Sequence, residues 1–506
     1  MKRFLWLAAV LSLSIICLSC GEVFRPIIIP NPPQFPSPAA AHTVLTISDN
    51  GLVNTISGLP PMTPSSGSAM VIDVSGDTDE SQRNLDTVPV HAVQQSASQV
   101  LVVNQAISLA PTPGAGPCTA QITVETPQGP VTYNFNVCPT ISKVTFNGTA
   151  INSVSSISLP ASSAANFIAT TETGQAYVSL PAYTYGPSIA VLNTLENTVA
   201  YIVPVGLNPA AIAETPDAKK LYVANSGDNS ITALNTQDRS SRGVTAEPSS
   251  PPIWLAARND SQRVYVLEQN GTLAYLDTSL SAGPDPFYES YAPATIQVPG
   301  ATSFWYDTIL NRIYIPGNGN ITIVDVSQAA PSTLSVVPIT TVPASTRSAS
   351  DPCLSTVPGP LNIIAATSLP DASRAYIGSY YIDSADNVCP QVTVIDAANF
   401  TVKTSIAIPG FPDASNPANP TYYVPTCANT RDQVGPMGNG FRMMMAAGGD
   451  STRAYLSTCD GGNVNIIRTD TDAYTFNLPA PYSVRPPLSG ASENPPQNPV
   501  FMIAGP

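Results

Sequence analysis

The chain alternates short apolar runs with short polar turns. The clearest copy of this pattern is residues 214–236, which read E-T-P-D-A-K-K-L-Y-V-A-N-S-G-D-N-S-I-T-A-L-N-T. A turn at Pro216 and Asp217 leads into an apolar run, Leu221 to Asn225. A polar turn follows and leads into a second apolar run. Apolar runs of about four to eight residues bounded by turn-forming residues are typical of β-strands. The pattern predicts an array of small antiparallel sheets.

Weaker copies of the same unit recur along the chain. Each copy has a first strand of small or apolar residues, a second strand with an aromatic or aliphatic anchor, and two further strands. The anchors are Leu101, Tyr177, Tyr222, Tyr265, Tyr314, Tyr376 and Tyr455. The three anchors from Tyr177 to Tyr265 are about 44 residues apart, within the roughly 40–45 residues of a four-stranded propeller blade. The sequence therefore predicts an all-β propeller of four-stranded antiparallel blades.

The two chain ends complete the predicted ring. Residues 43–48 resemble a second strand, Met70–Asp73 a third and Leu85–Val90 a fourth, with no first strand before them. Pro499–Ala504 is a lone apolar run that supplies the missing first strand. Such closure removes the free edges of an open array. The count favours eight blades. It falls to seven if residues 105–160 are an insertion, and a separate sandwich over 42–160 is the other alternative.

The unit carries a family resemblance. The run L-Y-V-A-N after P-D-A-K-K, followed by S-I-T-A-L-N-T, resembles the YVTN family of β-propeller repeats over residues 42–506. The resemblance implies the fold. Members include surface-layer and secreted proteins without an assigned reaction, and similar propellers include lactonases and quinone-cofactor dehydrogenases. No catalytic residue is carried over, because the matched residues are those that build strands.

The N-terminus has the layout of a targeting segment. Lys2 and Arg3 precede an apolar stretch, and Leu18-Ser19-Cys20-Gly21 follows it. This order resembles a bacterial lipoprotein signal, in which Cys20 becomes the lipidated first residue. Cys17 stands where that family usually has leucine, so an ordinary cleaved signal peptide is the alternative. We predict a lipoprotein-type signal over residues 1–20.

Residues 21–41 are rich in proline and predict an extended tether, which leaves 42–506 for the propeller. No later stretch has the roughly 18 apolar residues of a spanning helix. We therefore expect the protein to meet the membrane only through a lipid anchor in the cell envelope. The outer membrane or the cell surface is favoured, and secretion is the alternative.

The composition limits the classes of binding partner that can be expected. Charged residues are 11% of the chain and the net charge is −14. An acidic surface repels phosphate backbones, so nucleic acid is not an expected partner. The 52 prolines suit many short strands and turns rather than long helices. We expect a monomeric propeller with a protein or glycan partner.

Six cysteines remain when Cys17 and Cys20 are set aside. Cys118 and Cys138 flank two alternating strands around a turn at Gln128, so they face each other across a hairpin. Pairing the other neighbours predicts the disulfides Cys353–Cys389 and Cys427–Cys459. Disulfides suit an oxidising envelope compartment. A CxxC pair is missing and only two histidines occur, so no metal site and no cofactor are predicted.

Candidate chemistry is sparse, and no catalytic residue is assigned. His42 lies at the end of the tether and is expected to be solvated. The candidate channel-lining residues are His91, Trp254, Trp305 and Tyr306, because they lie on or beside predicted first strands. For the three aromatic residues, packing between blades is the favoured alternative.

Two runs place carboxylates on alternate residues, Asp77-Thr78-Asp79-Glu80 and Asp470-Thr471-Asp472. A strand would bring such side chains to one face, where a hard cation could bind. Neither run has the glycine and terminal glutamate of a calcium loop. We favour solvated turns between outer strands.

Two functional hypotheses follow. The favoured one is a binding or scaffolding module for a protein or glycan partner, with recognition on the long loops 328–361 and 411–440. The other is an envelope enzyme, either a lactonase-like hydrolase or a quinone-dependent oxidoreductase. It rests on fold analogy alone.

Overall fold

The computed structural model describes residues 43–48, 67–105, 112–278, 290–412, 443–481 and 499–504. Short gaps inside these ranges fall at 87, 127–128, 137, 162, 173, 244–247, 329, 355 and 460. The described residues form 35 strands, β1 to β35 in chain order, and two short 3-10 helices. None of them forms a helix that is both long and apolar enough to cross a bilayer.

Eight antiparallel sheets make up the propeller, seven of four strands and one of four strands with a short fifth strand, which confirms the predicted fold class. Blade 1 comprises β35 (Pro499–Ala504), β1 (Thr43–Ser48), β2 (Ser68–Asp73) and β3 (Thr78–Asn84). Blade 2 comprises β4 (Val88–Ser96), β5 (Gln99–Gln105), β8 (Thr140–Asn147) and β9 (Ala150–Ser158). Blade 3 comprises β10 (Ile168–Ala169), β11 (Gln175–Leu180), β12 (Ser188–Asn193) and β13 (Thr198–Pro204). Blade 4 comprises β14 (Pro209–Glu214), β15 (Lys220–Asn225), β16 (Ser230–Asn235) and β17 (Ser241–Gly243).

The second half of the ring repeats this order. Blade 5 comprises β18 (Pro252–Ala257), β19 (Arg263–Glu268), β20 (Thr272–Asp277) and β21 (Ser290–Gln297). Blade 6 comprises β22 (Trp305–Asp307), β23 (Arg312–Pro316), β24 (Asn320–Asp325) and β25 (Ser332–Pro338). Blade 7 comprises β26 (Asn362–Ser368), β27 (Arg374–Ile382), β28 (Asn387–Asp396), β29 (Val402–Ala407) and the short β30 (Phe411–Pro412). Blade 8 comprises β31 (Met443–Ala447), β32 (Arg453–Thr458), β33 (Asn463–Arg468) and β34 (Ala473–Pro479).

Burial orders the strands within each blade. The first strands contact the first strands of neighbouring blades around a common axis, so they surround the central channel. The second and third strands are almost continuously buried, whereas fourth strands such as β3 and β25 are mostly exposed. Blade-to-blade packing of apolar strand faces therefore forms the core.

Each blade has two ends, which define two faces of the ring. The turns between first and second strands and between third and fourth strands lie on one side, here called the turn face. The hairpins between second and third strands and the connections from blade to blade lie on the other side, here called the connection face. This division follows from the antiparallel order of the strands.

The ring closes in blade 1, as the sequence predicted. Strand β1 pairs with β2 on one side and with the C-terminal β35 on the other, with Val44 opposite Ala504. One detail of the prediction is wrong. The fourth strand of blade 1 is Thr78–Asn84, whereas Val88 to Val90, the last part of the predicted fourth strand, opens the first strand of blade 2. The outer strand is polar because it faces solvent, so apolar patterning missed it.

The seven-blade and sandwich alternatives are also wrong. Strands β8 and β9, from the region treated as an insertion, complete blade 2 beside β5. Among the described residues between β5 and β8, the addition is a two-stranded sheet of β6 (Thr119–Thr126) and β7 (Gly129–Asn136).

The residues that precede the tyrosine anchors connect neighbouring blades. Each tyrosine is buried on the second strand of its blade, and Arg, Lys or Gln stands two residues before it. Four of these cations donate to the turn after the third strand of the next blade. We call these contacts inter-blade latches. They are Lys220 to the Thr278 carbonyl, Arg312 to the Ala397 carbonyl, Arg374 to the Thr469 carbonyl and Asp472, and Arg453 to Asp77. The latches lie on the turn face.

Candidate functional site

The most elaborated part of the described structure lies on the connection face of blade 7. Strands β27 and β28 have nine and ten residues, whereas the second and third strands of the other blades have five to eight. Residues 339–361, which join blade 6 to blade 7, lie against this extended hairpin and are called the strap. The Gly359 amide donates to the Ile382 carbonyl at 3.0 Å, and the Ser384 amide donates to the Val357 carbonyl at 3.0 Å. The last part of the strap is thus tied to the tip of the hairpin.

A buried ion pair fixes the middle of the strap. Arg347 Nη1 lies 2.9 Å from Asp351 Oδ2, and the two side chains are 0% and 3% exposed. Arg347 also donates to the Ile408 carbonyl at 3.0 Å, and its guanidinium lies 5.7 Å from the centre of the Tyr381 ring. Separating such a pair would leave a buried charge without compensation, which costs several kcal/mol. The strap is therefore held in a single position.

A disulfide fixes the far part of the strap. Cys353 is bonded to Cys389 on β28, with their Cα atoms 5.9 Å apart, as the sequence predicted. The Asp383 carboxylate lies beside the bond, with Oδ2 3.6 Å from Cys389 Sγ. Burial raises the pKa of Asp383, but hydrogen bonds from Thr356 and Asn387 outweigh it and hold the pKa below its usual value. The acid is therefore ionised beside the sulfur atoms.

The outward surface of the strap is uncharged. Its only charged residues, Arg347 and Asp351, are both buried. The exposed residues include Ala344–Thr346, Ser348 and Val357, which is 70% exposed. The strap thus presents hydroxyl groups and small apolar groups on a rigid backbone.

The other described disulfide cysteines also lie on the connection face. Cys118 and Cys138 are bonded at the base of the β6–β7 hairpin of blade 2, with their Cα atoms 5.0 Å apart, which confirms that pairing. Cys459, after β32 of blade 8, is disulfide-bonded. Its predicted partner Cys427 lies outside the described residues, as does most of the predicted loop 411–440. Covalent cross-links therefore concentrate on one face of the ring.

Five aromatic side chains at the inner strands form what we call the aromatic belt: Phe501, His91, Phe167, Trp254 and Phe304. His91 stacks on Phe167 with ring centroids 3.7 Å apart. Phe167 meets Trp254 edge-on at 5.9 Å, across blade 4, whose first strand offers alanines. Two of the candidate channel-lining residues, His91 and Trp254, thus belong to one cluster around the axis.

Burial decides the chemistry of His91. Desolvation lowers its pKa from 6.5 to about 3, so the ring is neutral at physiological pH. Its Nδ1 accepts a long hydrogen bond of 3.5 Å from the Ile168 amide. A base this weak, stacked between rings, suits packing better than proton transfer.

The other two channel-lining candidates, Trp305 and Tyr306, do not belong to the aromatic belt. Trp305, on β22, is 38% exposed, and its Nε1 donates to Ser368 of blade 7 at 3.1 Å. Tyr306 packs between blades, with its ring 6.1 Å from Tyr265, and its hydroxyl donates to Asn311 at 2.9 Å.

The run 470–472 lies in the turn before β34, whereas the run 77–80 starts in a turn and continues into strand β3, so the predicted turn is wrong for residues 78–80. One carboxylate of each run is held in an ion pair instead of being solvated. Asp77 accepts from Arg453, with Nη2 to Oδ2 at 2.8 Å, across the junction between blades 8 and 1. Asp472 is buried and pairs with Arg374 at 2.8 Å and with Lys403 at 2.7 Å. These carboxylates act as latch acceptors, whereas Asp470 is exposed and pairs with Arg468.

A buried acid on the turn face was not predicted. Glu214 ends β14, and its Oε2 accepts from the Thr171 amide of blade 3 at 2.7 Å. Its Oε1 is buried without a hydrogen-bond partner among the described residues. Desolvation raises the pKa of Glu214 to about 7, and the nearby Glu172 and Asp217 add to it. A glutamate at the end of an apolar strand was the available signal.

The charged residues of the strap and of the neighbouring β27–β28 hairpin were not singled out from the sequence, for a different reason. Arg347, Asp351 and Asp383 fall in stretches rich in Pro, Ser and Ala, with no repeat to mark them. Their roles depend on contacts with β28, which only the folded chain brings beside them.

Comparisons with known proteins give the fold. No protein-family model and no curated protein matches the chain, so the YVTN resemblance stays a prediction. Apo AztD from Citrobacter koseri is 11% identical, with a TM-score of 0.50 over 91% of this chain and 96% of that one. A functionally unknown protein from Desulfotomaculum acetoxidans is 10% identical, with a TM-score of 0.43 over 86% and 95%. The dihydro-heme d1 dehydrogenase NirN in complex with DHE is 13% identical, with a TM-score of 0.43 over 76% and 68%. At these identities the likeness concerns the fold alone: the chain is an eight-bladed β-propeller.

Proposed function

We propose that this protein is an envelope-anchored binding module that holds a protein or glycan partner on its connection face. The observation that carries the proposal is the strap, which a buried ion pair and a disulfide fix in place while its outward surface stays exposed. A surface held rigid before binding loses less conformational entropy when a partner docks. Loops on a rigid scaffold are where recognition is usually placed.

The chemistry of the strap favours an uncharged partner surface. Exposed Ser and Thr hydroxyls can both donate and accept hydrogen bonds, and Val357 adds apolar contact. A glycan or a neutral protein patch meets these groups without leaving a charge unpaired. The net charge of −14 further disfavours polyanions.

The test is capture of a partner from membranes solubilised in mild detergent, read by mass spectrometry. The test variant carries Ser348→Glu and Val357→Glu on the strap. The matched control carries Thr333→Glu and Val336→Glu on the outer strand β25, where Val336 is 53% exposed. We expect a stoichiometric partner with the wild type and the control, and its loss with the strap variant.

Equal capture by the strap variant and the wild type would remove the strap from the proposal. Both variants should keep the melting temperature of the wild type, because all four substituted side chains are exposed. Loss of capture in both variants would indicate a general charge effect instead.

The anchoring part of the proposal rests on the signal-like sequence around Cys20. Two acyl chains on one residue would give the stable membrane attachment that one chain does not. We expect Cys20→Ala to stop incorporation of labelled fatty acid and to release the protein from the membrane fraction. Cys17→Ala is the matched control and should leave both unchanged. Fatty-acid labelling that persists in Cys20→Ala would contradict the anchor.

A further inference from the structure

Three metal-ligating side chains meet at the far part of the strap. One carboxylate oxygen of Asp383 and the sulfur atoms of Cys353 and Cys389 lie within 4.8 Å of one another. All three residues are buried. Among the described residues this is the one group of three Cys, His, Asp or Glu side chains with such a spacing.

The carboxylate is aimed at the sulfur atoms by its own hydrogen bonds. Asp383 Oδ1 accepts from the amides of Ala385 and Asn387, at 2.9 Å and 2.8 Å. Its Oδ2, the atom 3.6 Å from Cys389 Sγ, accepts from Thr356 Oγ1 and Asn387 Nδ2. Hydrogen bonds of this kind orient carboxylate ligands in metal sites. A disulfide by itself needs no such group beside it.

Gly410 packs closely against the sulfur of Cys353. A Cβ atom placed on Gly410 would collide with Cys353 Sγ, so a larger residue at this position would displace the sulfur. The Val388 carbonyl lies 3.7 Å from the same sulfur. Tetrahedral zinc holds thiolates at about 2.3 Å, with sulfur atoms about 3.8 Å apart, so both side chains must rotate apart after reduction.

We propose that Cys353, Cys389 and Asp383 bind one Zn²⁺ ion when the disulfide is reduced. Two thiolates and a carboxylate supply three ligands, and water completes the tetrahedron. A dithiol reductant donates two electrons and two protons to the disulfide and itself becomes a cyclic disulfide. The two thiols then release their protons to solvent as the ion binds. The strap stays tied to β28 in both states, through a sulfur–sulfur bond or through the metal.

The experiment uses the full chain, reduced with dithiothreitol, freed of reductant without oxygen, and titrated with Co²⁺. We expect one equivalent to give a thiolate-to-cobalt charge-transfer band and the visible bands of tetrahedral Co²⁺, which Zn²⁺ then abolishes. Asp383→Asn should weaken Co²⁺ binding by at least about tenfold, since loss of even an outer partner costs that much. The oxidised protein should give no band.

Two further variants separate this site from the other cysteines. Cys389→Ser should lose the charge-transfer band, and Cys138→Ser, which breaks the disulfide on blade 2, should keep it. The proposal is overturned if the reduced wild type gives no thiolate band. It is equally overturned if Cys389→Ser keeps the band, or if Asp383→Asn binds Co²⁺ as tightly as the wild type.

Discussion

At the scale of single residues, two buried titratable groups respond to pH in opposite directions. Glu214 has a pKa raised by burial, so the folded state holds its proton more tightly than the unfolded chain. His91 has a pKa lowered by burial, so the folded state holds its proton less tightly. Stability therefore falls toward high pH through Glu214 and toward low pH through His91.

Glu214→Gln should remove the alkaline loss of stability. The glutamate contribution is fully present below its unfolded pKa of 4.5 and is lost as pH rises through about 7. Between pH 5 and pH 8 the wild type should lose roughly 2–3 kcal/mol more than the variant. Urea titrations at the two pH values measure this difference. The exposed Glu196→Gln is the control, and an identical pH profile in wild type and Glu214→Gln would contradict the assignment.

His91→Phe should remove part of the acid sensitivity. The histidine contribution is present above pH 6.5 and is lost as pH falls toward about 3. Between pH 7 and pH 4 the wild type should lose about 3 kcal/mol that the variant retains. The ring contacts with Phe167 and Phe501 can be kept by phenylalanine. Thermal unfolding across this pH range tests it. His42 lies outside the described residues and is expected from the sequence to be solvated, so His42→Phe is the control and should follow the wild type.

At the scale of elements, the recurring unit is a second strand whose tyrosine is buried beside the next blade. The tyrosines occupy equivalent positions but differ in their polar contacts. Tyr376 donates to Asp472 Oδ1 at 2.7 Å. The hydroxyl of Tyr455 is buried without a hydrogen-bond partner among the described residues. The repeat thus fixes the position of the tyrosine ring, whereas the hydrogen bonding of its hydroxyl differs from blade to blade.

Replacing these two tyrosines with phenylalanine should give different results. Tyr376→Phe loses a hydrogen bond to a carboxylate and should cost about 2 kcal/mol. Tyr455→Phe removes a buried hydroxyl without a bond and should be neutral or stabilising by about 1 kcal/mol. The free energy of unfolding in urea distinguishes them. Equal costs would show that packing of the ring alone sets the contribution of this position.

The strand boundaries show which strands can be predicted from the pattern of apolar residues. The buried second strands, such as β15 and β19, were located by their apolar runs. The outer strand β3, T-D-E-S-Q-R-N, has no apolar period because it is exposed, so its first residues resemble a turn in the sequence. Patterning reports burial rather than strand pairing, so it fails on strands that only a neighbour's hydrogen bonds define.

At the scale of the whole molecule, closure of the ring depends on one C-terminal strand. Strand β35 covers the edge of β1, whose residues are all buried. Without it the ring would expose an apolar edge that invites aggregation.

Removing residues 499–506 should therefore abolish cooperative unfolding and produce soluble aggregates, seen by light scattering. Removing residues 505–506 alone is the control and should leave the melting temperature unchanged. Adding a peptide of residues 498–504 to the shortened chain should partly restore the monomer. A monomeric, cooperative chain without 499–506 would show that β35 is dispensable for closure.

The blade and its copies, the closure of the ring and the two described disulfides follow from the sequence alone. These features can be predicted because they depend on patterns that are local in the sequence: the period of apolar residues, the spacing of the anchors and the symmetry of a hairpin. The folded chain was needed to show that Asp77 and Asp472 accept inter-blade latches, that Glu214 is buried, and that Asp383 lies beside two cysteines under the strap. Those contacts join residues far apart in the chain, and the free energy of burying a charge depends on which partners the fold brings to it.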